Sequence, residues 1–259
     1  MTLRNLQKWH GAGNDFLVEV RDYGRASWWN ADRVRAVCDR WTGVGADGVI
    51  LATAGAEGGA DATMVLYNAD GSRAEMSGNG LRCCAAALHR ATRATWSSID
   101  VVTDAGLRHV ELDLTGDAGW GSCEMGPVVV SEGPSGSLAR ADVGNPHVVV
   151  RDEPDWSDAE RVDLARALSD AVGGANVEFA TVLAPDRVRI VVVERGVGWT
   201  RACGTGSCAT AAVLFERGEV GSTVTVENPG GDLRVSRGGE GTVLAGPVQF
   251  VANVEWLSA

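Results

Sequence analysis

The second half of this chain repeats the first, and this repeat constrains the fold more than any other feature of the sequence. Four pairs of segments correspond in the same order, at an offset of about 126 to 131 residues. The pairs are 11–20 with 143–150, 45–52 with 174–181, 77–88 with 203–214, and 104–112 with 229–237. Self-similarity of this kind indicates a duplicated unit. The sequence therefore predicts two domains of like topology, related by a pseudo-twofold axis.

Both copies show a similar order of strands and helices. Strand-like alternation occurs at 16–20, 48–52, 63–67, 99–103 and 107–113 in the first half, and at 147–151, 188–194, 223–227 and 232–236 in the second. Asn30 and Ser157 stand where they can cap helices, and Ser157 opens the capping box SDAE. A further alanine-rich helix follows each of two Gly-x-Gly turns. Both of these helices are apolar on most sides, which is typical of a helix that other elements surround.

These patterns predict an α+β fold. Each of the two pseudo-symmetric domains is expected to be a curved, barrel-like mixed β-sheet wrapped around a central helix, with the active site in the cleft between the domains. The expected domains are 1–115, joined by the C-terminal strand 248–259, and 116–247. The short, Gly- and Asp-rich segment 113–120 is the predicted linker.

Composition narrows the possible functions. The net charge is −11, and the single lysine stands among arginines that are spread along the chain, so neither nucleic acid nor a membrane is an expected partner. No apolar run approaches the ~18–20 residues needed to span a bilayer, and the N-terminus lacks the apolar core of a signal peptide. The six cysteines contain no Cys-x-x-Cys pair, and the four histidines are scattered. We expect reduced thiols, a cytoplasmic location, and neither metal nor cofactor.

The two Gly-x-Gly turns are the candidate chemical centres. One begins with Ser77 in SGNG and the other with Cys203 in CGTG. The first N–H groups of a helix have no partners within the helix, and that end is partly positive. Such an end binds carboxylates, and it is expected to lower the pKa of a cysteine placed there. Two such ends that faced each other would hold one carboxylate, with residues 77 and 203 on either side of the carbon that carries it.

A purely structural interpretation of these turns is that Ser77 caps a helix and Cys203 is a small buried residue. It would suffice for one turn, but helix capping does not require Gly-x-Gly twice. Cys38, Cys83, Cys84, Cys123 and Cys208 are interpreted as packing residues. A third glycine motif, GVGADG at 43–48, fits a dinucleotide fingerprint only in its letters, because a helix precedes it and a strand follows.

At these residues the sequence resembles the diaminopimelate epimerases over essentially its full length. The motifs that carry the resemblance are HGAGNDF, NADGS, GNG-R, GNPH, NVEF and ERG-G-T-ACGTG. Proline racemase-like enzymes share this fold of two like domains. The resemblance implies an isomerase that interconverts LL- and meso-diaminopimelate, in lysine and peptidoglycan precursor biosynthesis, without pyridoxal phosphate or metal. In the implied two-base reaction, a thiolate removes the Cα proton on one face and a thiol returns one on the other. It also implies a homodimer.

The resemblance also assigns roles to individual residues. Cys203 matches a catalytic cysteine, and His147 and Glu194 match residues that tune the two thiols. Substrate-binding positions are Asn14, Asn68, Asn145 and Asn176, the distal pair Glu194 and Arg195, and the helix-end residues Gly78, Asn79, Gly204 and Thr205. His10, His89 and His109 receive no role.

Ser77 departs from the family pattern, which has a second catalytic cysteine at this position. A hydroxyl is far less acidic than a thiol, and a helix end worth ~0.3–1 kcal/mol does not close that difference. One interpretation is an engineered Cys-to-Ser change that impairs an epimerase, and another is a natural serine that works slowly. A third is one-base chemistry, such as proton exchange or elimination, or action on a different amino acid. The last is a non-catalytic amino-acid binder. The retained Arg195, Asn68 and Asn176 favour diaminopimelate as the substrate.

Overall fold

The fold is that of a computed structural model, which describes residues 2–24, 27–56, 59–195, 198–239 and 241–258. The chain divides into two compact units. Unit 1 comprises Met1–Cys123 and Gly246–Ala259, and unit 2 comprises Glu124–Ala245. No helix within the described ranges is long and apolar enough to cross a membrane.

Unit 1 is a closed mixed barrel around a helix. Its strands are β1 (Thr2–Gly11), β2 (Asn14–Asp22), β3 (Gly48–Ala54), β4 (Ala62–Asn68), β5 (Arg73–Ala74), β6 (Ser98–Thr103), β7 (Gly106–Thr115), β8 (Ala118–Gly126) and the end of β17 (Thr242–Ser258). Eight of them pair in a ring in the order β1, β2, β3, β4, β6, β7, β8, β17 and back to β1. Helix α1 (Ala31–Cys38) packs on β3 and β4, whereas α2 (Gly78–Thr92) contacts six strands of the ring. Eleven consecutive residues of α2 are buried, from Gly78 to Leu88.

Unit 2 has a similar order of strands and helices. Its elements are β9 (Val129–Ser131), β10 (Ala139–Asp142), β11 (Pro146–Arg151), α3 (Asp158–Ala171), β12 (Asn176–Ala184), β13 (Arg187–Glu194), β14 (Gly198–Thr200), α4 (Gly204–Glu216), β15 (Thr223–Asn228), β16 (Gly231–Arg237) and the start of β17. Twelve consecutive residues of α4 are buried, from Gly204 to Phe215. This helix contacts β9, β10, β11, β12, β15 and β16.

The strand pairing confirms the repeat. In unit 1 the pairs β2–β3 and β4–β6 are parallel, while β3–β4, β4–β5 and β6–β7 are antiparallel. In unit 2 the corresponding pairs β11–β12 and β13–β15 are parallel, while β12–β13, β13–β14 and β15–β16 are antiparallel. The predicted fold class, a curved mixed sheet wrapped around a helix in each of two like domains, is confirmed.

Local signals in the sequence also hold, with one exception. The Asn30 side chain accepts a hydrogen bond from the Arg33 N–H at 3.0 Å, and Ser157 forms both bonds of its capping box. The predicted linker 113–120 is wrong. These residues form the end of β7, the start of β8 and the tight turn between them, because the Gly and Asp residues that suggested a linker also suit a hairpin turn.

The turn between β4 and β5 depends on a glycine. Gly71 has φ +84°, and a Cβ there would lie 2.6 Å from the Ala31 carbonyl oxygen. Gly116, in the hairpin between β7 and β8, has φ +66° and nothing within 4 Å of the corresponding position. A side chain at either position would therefore be strained by the left-handed backbone, but only a side chain at position 71 would also clash with a neighbour.

We expect Gly71→Ala to lower the free energy of unfolding by about 2–4 kcal/mol, because the strain of a left-handed backbone adds to the clash with α1. The matched change Gly116→Ala should cost only the strain, about 1 kcal/mol. Urea unfolding of both variants measures the difference. Equal losses of stability would show that the Gly71 turn moves away from α1 without cost.

Candidate active site

Ser77 is the N-cap of α2. Its backbone is extended, with φ −151°, and its Oγ accepts a hydrogen bond from the Gly80 N–H at 3.0 Å. A Cβ at position 80 would lie 3.2 Å from the Ser77 Cβ, so glycine keeps this first turn tight. The hydroxyl hydrogen of Ser77 remains free to donate, because an N-cap uses only the oxygen as an acceptor.

Ser77 stands next to a directed chain of hydrogen bonds. We define the Ser77 cluster as Asn14, Asp47, Ser77, Asn79 and Arg82, all in unit 1. Arg82 Nη2 donates to Asn79 Oδ1 at 2.6 Å, and Asn79 Nδ2 donates to Asn14 Oδ1 at 3.3 Å. Asn14 Nδ2 then donates to Asp47 Oδ2 at 2.8 Å. Since arginine can only donate and a carboxylate can only accept, the two ends fix the orientation of both amides.

Arg82 gives this cluster a positive character. The side chain is fully buried, and its guanidinium donates to the Gly78 carbonyl at 3.1 Å as well as to Asn79. Both acceptors are neutral, and they lie in the first turn of α2. The buried cation therefore adds to the partial positive charge of the helix end, and together they favour an anion there.

Asn68 lies at the end of β4, directly across from Gly48 in β3. Its Nδ2 donates to the Ser72 Oγ at 3.0 Å, and the residue is exposed. β3 follows Asp47 immediately, and Ala69 donates its N–H to the Asp47 carbonyl. The sheet thus brings Asn68 to the same end of unit 1 as the Ser77 cluster, although no hydrogen bond of its side chain reaches the cluster among the described residues.

Cys203 is the N-cap of α4, in the position that corresponds to Ser77. Its Sγ accepts a hydrogen bond from the Gly206 N–H at 3.3 Å and lies 3.5 Å from the Thr205 Oγ1. The residue is 7% exposed. Asn228 accepts the Cys203 N–H at 3.4 Å, which holds the backbone before the helix. The sequence prediction that these two turns are structural equivalents is confirmed.

Cys203 also belongs to a chain of polar contacts. We define the Cys203 cluster as Asn145, His147, Glu178, Cys203 and Thr205, all in unit 2. The Asn145 Nδ2 lies 3.5 Å from the Thr205 Oγ1, and its Oδ1 lies 3.0 Å from His147 Nε2. His147 Nδ1 is 2.7 Å from Glu178 Oε1, and neither of these two side chains is exposed. The repeat is visible again, because Asn145 contacts the second residue of α4 as Asn14 contacts the second residue of α2.

The charged groups that act on Cys203 are carboxylates. Burial raises the pKa of the Cys203 thiol well above its ordinary value, and the carboxylates of Glu194 and Glu178 raise it further. Hydrogen bonds from Thr205 and Gly206 oppose this shift without reversing it. The expectation that the helix end lowers the pKa of this cysteine is therefore wrong, because desolvation and two carboxylates outweigh the partial charge of one helix.

Glu194 and Arg195 stand at the end of β13. Burial raises the pKa of the Glu194 carboxyl, while hydrogen bonds from Thr200 and Cys203 lower it in part. Thr200 Oγ1 donates to Glu194 Oε1 at 2.7 Å. The Arg195 N–H donates to Asn176 Oδ1 at 3.0 Å, and its exposed side chain covers Gly174, where a Cβ would lie 3.0 Å from Arg195 Cδ. The structure thus joins Asn176 to Arg195, and Glu194 to Cys203.

The remaining cysteines form no disulfide and are buried. Burial raises the pKa of Cys38 and Cys83 to about 12, and it also raises the pKa of Cys84 and Cys123. Thiols of this kind are inert packing groups. Cys203 differs from them in its position, because it caps α4 and its sulfur accepts the Gly206 N–H.

Sequence reasoning gave no role to three members of the two clusters, Asp47, Arg82 and Glu178, although Arg82 stands in the motif GNG-R and Glu178 in the motif NVEF. Arg82 is the one basic residue among the buried positions of α2, and Glu178 stands between Val177 and Phe179 in a strand whose neighbours are apolar. A charged residue within an otherwise apolar element is a usable signal, since such a residue is almost never buried without a partner. Asp47 carries no comparable signal, because aspartate before a strand is common in turns.

The fold is that of a class of solved structures that includes an epimerase. The solved structure of a hydroxyproline epimerase from Agrobacterium vitis, with bound trans-4-hydroxy-L-proline, superposes with a TM-score of 0.75 at 18% sequence identity, covering 98% of this chain and 92% of that one. Within this class the sequence is more specific. A sequence model of the family described as diaminopimelate epimerase matches residues 6–131 and 140–251.

Two curated relatives agree with this match. The diaminopimelate epimerase of Xanthomonas axonopodis pv. citri is 37% identical over 275 residues, covering 96% of this chain and 95% of that protein. That of Desulforudis audaxviator is 34% identical over 277 residues, covering 97% of this chain and 99% of that protein. The chain belongs to the diaminopimelate epimerase family and is an isomerase.

Removing the charge of Glu194 tests the electrostatics around Cys203. Since this carboxylate raises the pKa of the thiol, Glu194→Gln should increase the thiolate fraction, and alkylation of Cys203 by iodoacetamide at pH 8 should be about three- to tenfold faster. Mass spectrometry of the peptide that contains Cys203 gives the rate. Glu216→Gln, which removes an equal charge at the exposed end of α4, serves as the control and should leave the rate unchanged. A slower or unchanged rate in Glu194→Gln would contradict the described charge balance.

Proposed function

We propose that the protein interconverts LL- and meso-2,6-diaminopimelate by moving a proton at Cα without a cofactor. The observation that supports this most directly is the duplicated helix start. In both units a side chain able to exchange a proton caps a buried helix and accepts the N–H of the third residue after it. A structural cap alone explains neither the repetition nor the polar chains that lead to each cap.

In this proposal Cys203 and Ser77 act on opposite faces of one Cα carbon. The α-carboxylate of the substrate accepts hydrogen bonds from the N–H groups that begin α2 and α4, at Gly78 and Asn79 on one side and Gly204 and Thr205 on the other. Asn14 and Asn145 hold the α-amino and carboxylate groups, because an amide both donates and accepts. The buried Arg82 favours the charge of the carboxylate, which becomes more negative when the proton leaves.

The distal end of the substrate is assigned to the second set of residues. Arg195 has an exposed guanidinium that can form two parallel hydrogen bonds with a carboxylate. Its backbone is tied to Asn176, and Glu194 precedes it in the chain. With Asn68, these groups suit a second amino-acid head, which supports a substrate with two such heads over a monofunctional amino acid.

Following the protons through the reaction shows which transfer is unfavourable. When Cys203 acts as the base, its thiolate takes the Cα proton, and a proton must reach the other face of the carbanion from Ser77. When the reaction runs the other way, a serine alkoxide would have to remove the Cα proton. Neither step suits a hydroxyl as well as a thiol, because the serine O–H is far less acidic. We therefore infer an epimerase that Ser77 slows.

Ser77 also supports a second candidate, one-base proton exchange. Here Cys203 removes the Cα proton and returns one to the same face, so that the carbon exchanges its hydrogen and keeps its configuration. The rate of this exchange does not depend on the group at position 77.

Two further properties belong to the proposal. We propose a cytoplasmic location, because the six cysteines are buried thiols and not disulfides, which suits a reducing compartment. We also propose a homodimer, which rests on family membership alone.

Incubation with LL- and with meso-diaminopimelate in deuterium oxide tests the function. We expect each isomer to convert into the other, with one deuterium at the inverted Cα, as measured by chiral chromatography and mass spectrometry. Cys203→Ala is the control for background exchange and should show neither change. Deuterium uptake without inversion would replace the proposal with the one-base candidate. Tight binding with neither change would indicate a binder and would sink both candidates.

A further inference from the structure

A continuous relay of hydrogen-bond distances joins the Cys203 thiol to a buried carboxylate in unit 2. The sulfur lies 3.5 Å from the Thr205 hydroxyl, which lies 3.5 Å from the Asn145 amide nitrogen. The amide oxygen lies 3.0 Å from His147 Nε2, and Nδ1 of the same ring lies 2.7 Å from Glu178 Oε1. Glu178 is the one member of this relay to which neither the sequence motifs nor the proposed reaction gives a role.

The position of Glu178 is costly for the fold. The side chain is not exposed at all, and its second oxygen, Oε2, has no hydrogen-bond partner among the described residues. Replacing a buried ion pair by apolar residues of similar volume is often neutral or stabilising. Stability therefore does not explain a carboxylate at this point of β12.

Glu178 also lies directly against the first turn of α4. A Cβ at position 206 would lie only 2.6 Å from Glu178 Oε1, so the glycine leaves room for this carboxylate. The same Gly206 donates its N–H to the Cys203 sulfur. The carboxylate is thus near the thiol in space, yet it meets the relay only at His147.

We propose that Glu178 is a positioning residue for proton transfer by Cys203, acting through His147; this inference rests on the proposed function. Glu178 accepts the Nδ1 hydrogen of His147, which fixes the tautomer and turns Nε2 toward Asn145. The state of Nε2 then sets the direction of every hydrogen bond between the ring and the sulfur.

The relay has two directions that differ by the place of one proton. With the proton on Nε2, the ring donates to the Asn145 oxygen, the amide nitrogen donates to Thr205, and the hydroxyl donates to sulfur, which favours a thiolate. With that proton on sulfur, the thiol donates to Thr205 or to Glu194. The Thr205 hydroxyl then donates to the Asn145 oxygen, and the Asn145 amide, rotated by half a turn, donates its N–H to Nε2. The proton count of the cluster is the same in both states. The negative charge of Glu178 stabilises the first state. Its oxygen accepts the Nδ1 hydrogen of His147 in both states.

Two substitutions separate the charge of Glu178 from its acceptor oxygen. Glu178→Met fills a similar volume and removes both, so the proton of neutral His147 should move from Nδ1 to Nε2, where Asn145 accepts it. Glu178→Gln keeps an acceptor for the Nδ1 hydrogen and removes the charge. We expect kcat to fall about ten- to hundredfold in Glu178→Met and by less in Glu178→Gln, with KM within about twofold in both, since effects of this size follow loss of a residue that orients a histidine.

The readouts are ¹H–¹⁵N correlation spectra of the histidine rings and steady-state kinetics. His147→Gln assigns the His147 signals, and Thr210→Val is the control, because Thr210 is a buried residue of α4 whose Oγ1 has no partner among the described residues. The control should leave both kcat and the tautomer unchanged. A retained Nδ1 proton in Glu178→Met, or a native kcat in both Glu178 variants, would overturn the inference.

The same measurements separate a failure of the proposed function from a failure of the role given to Glu178. Absence of turnover in the unaltered protein and in Thr210→Val would refute the proposed function, while the spectra would still show whether Glu178 sets the tautomer. Turnover that is normal in all variants would leave the proposed function standing and would refute the role of Glu178.

Discussion

A helix enclosed by strands cannot leave its first N–H groups without partners, and the molecule depends on how this constraint is met. Both α2 and α4 are buried along their first turns and nearly throughout. Water is therefore not the general hydrogen-bond partner of those N–H groups. A side chain must accept a hydrogen bond from at least one of them. Ser77 and Cys203 do so in corresponding positions, and the glycines beside them have no side chain that would cover the remaining N–H groups.

The two helix starts have corresponding backbones, but the charged groups around them differ. The Ser77 cluster contains the buried cation of Arg82, whose guanidinium bonds only to neutral acceptors among its described hydrogen bonds. The Cys203 cluster has Glu178 and Glu194 close enough to raise the pKa of the thiol. The first environment favours an anionic ligand, whereas the second favours a neutral thiol that is ready to donate a proton.

The repeat, the fold class and the two capped turns could be predicted from the sequence because each leaves a local or periodic signal. The correspondence of SGNG with CGTG follows from the residue types alone. The capping box at Ser157 follows from the spacing of its Ser and Glu. The electrostatics could not be predicted in this way. Glu178 and Asn145 are far apart in the chain, and they belong to one network only because β11 and β12 are parallel neighbours. The hairpin at 113–120 was missed because its turn residues also suit a linker.

We propose that a hydroxyl at position 77 limits a site in which the family pattern has two thiols. The most direct measurement is kcat for the interconversion of LL- and meso-diaminopimelate by Ser77→Cys beside the unaltered protein. We expect kcat to increase by about 10²- to 10⁴-fold in Ser77→Cys, which is the usual contribution of one acid–base group. KM should change little, because the helix-end N–H groups remain. Adding Cys203→Ser to that variant should abolish the increase. A folded Ser77→Cys variant with unchanged or lower kcat would contradict the proposal that the Ser77 hydroxyl limits turnover.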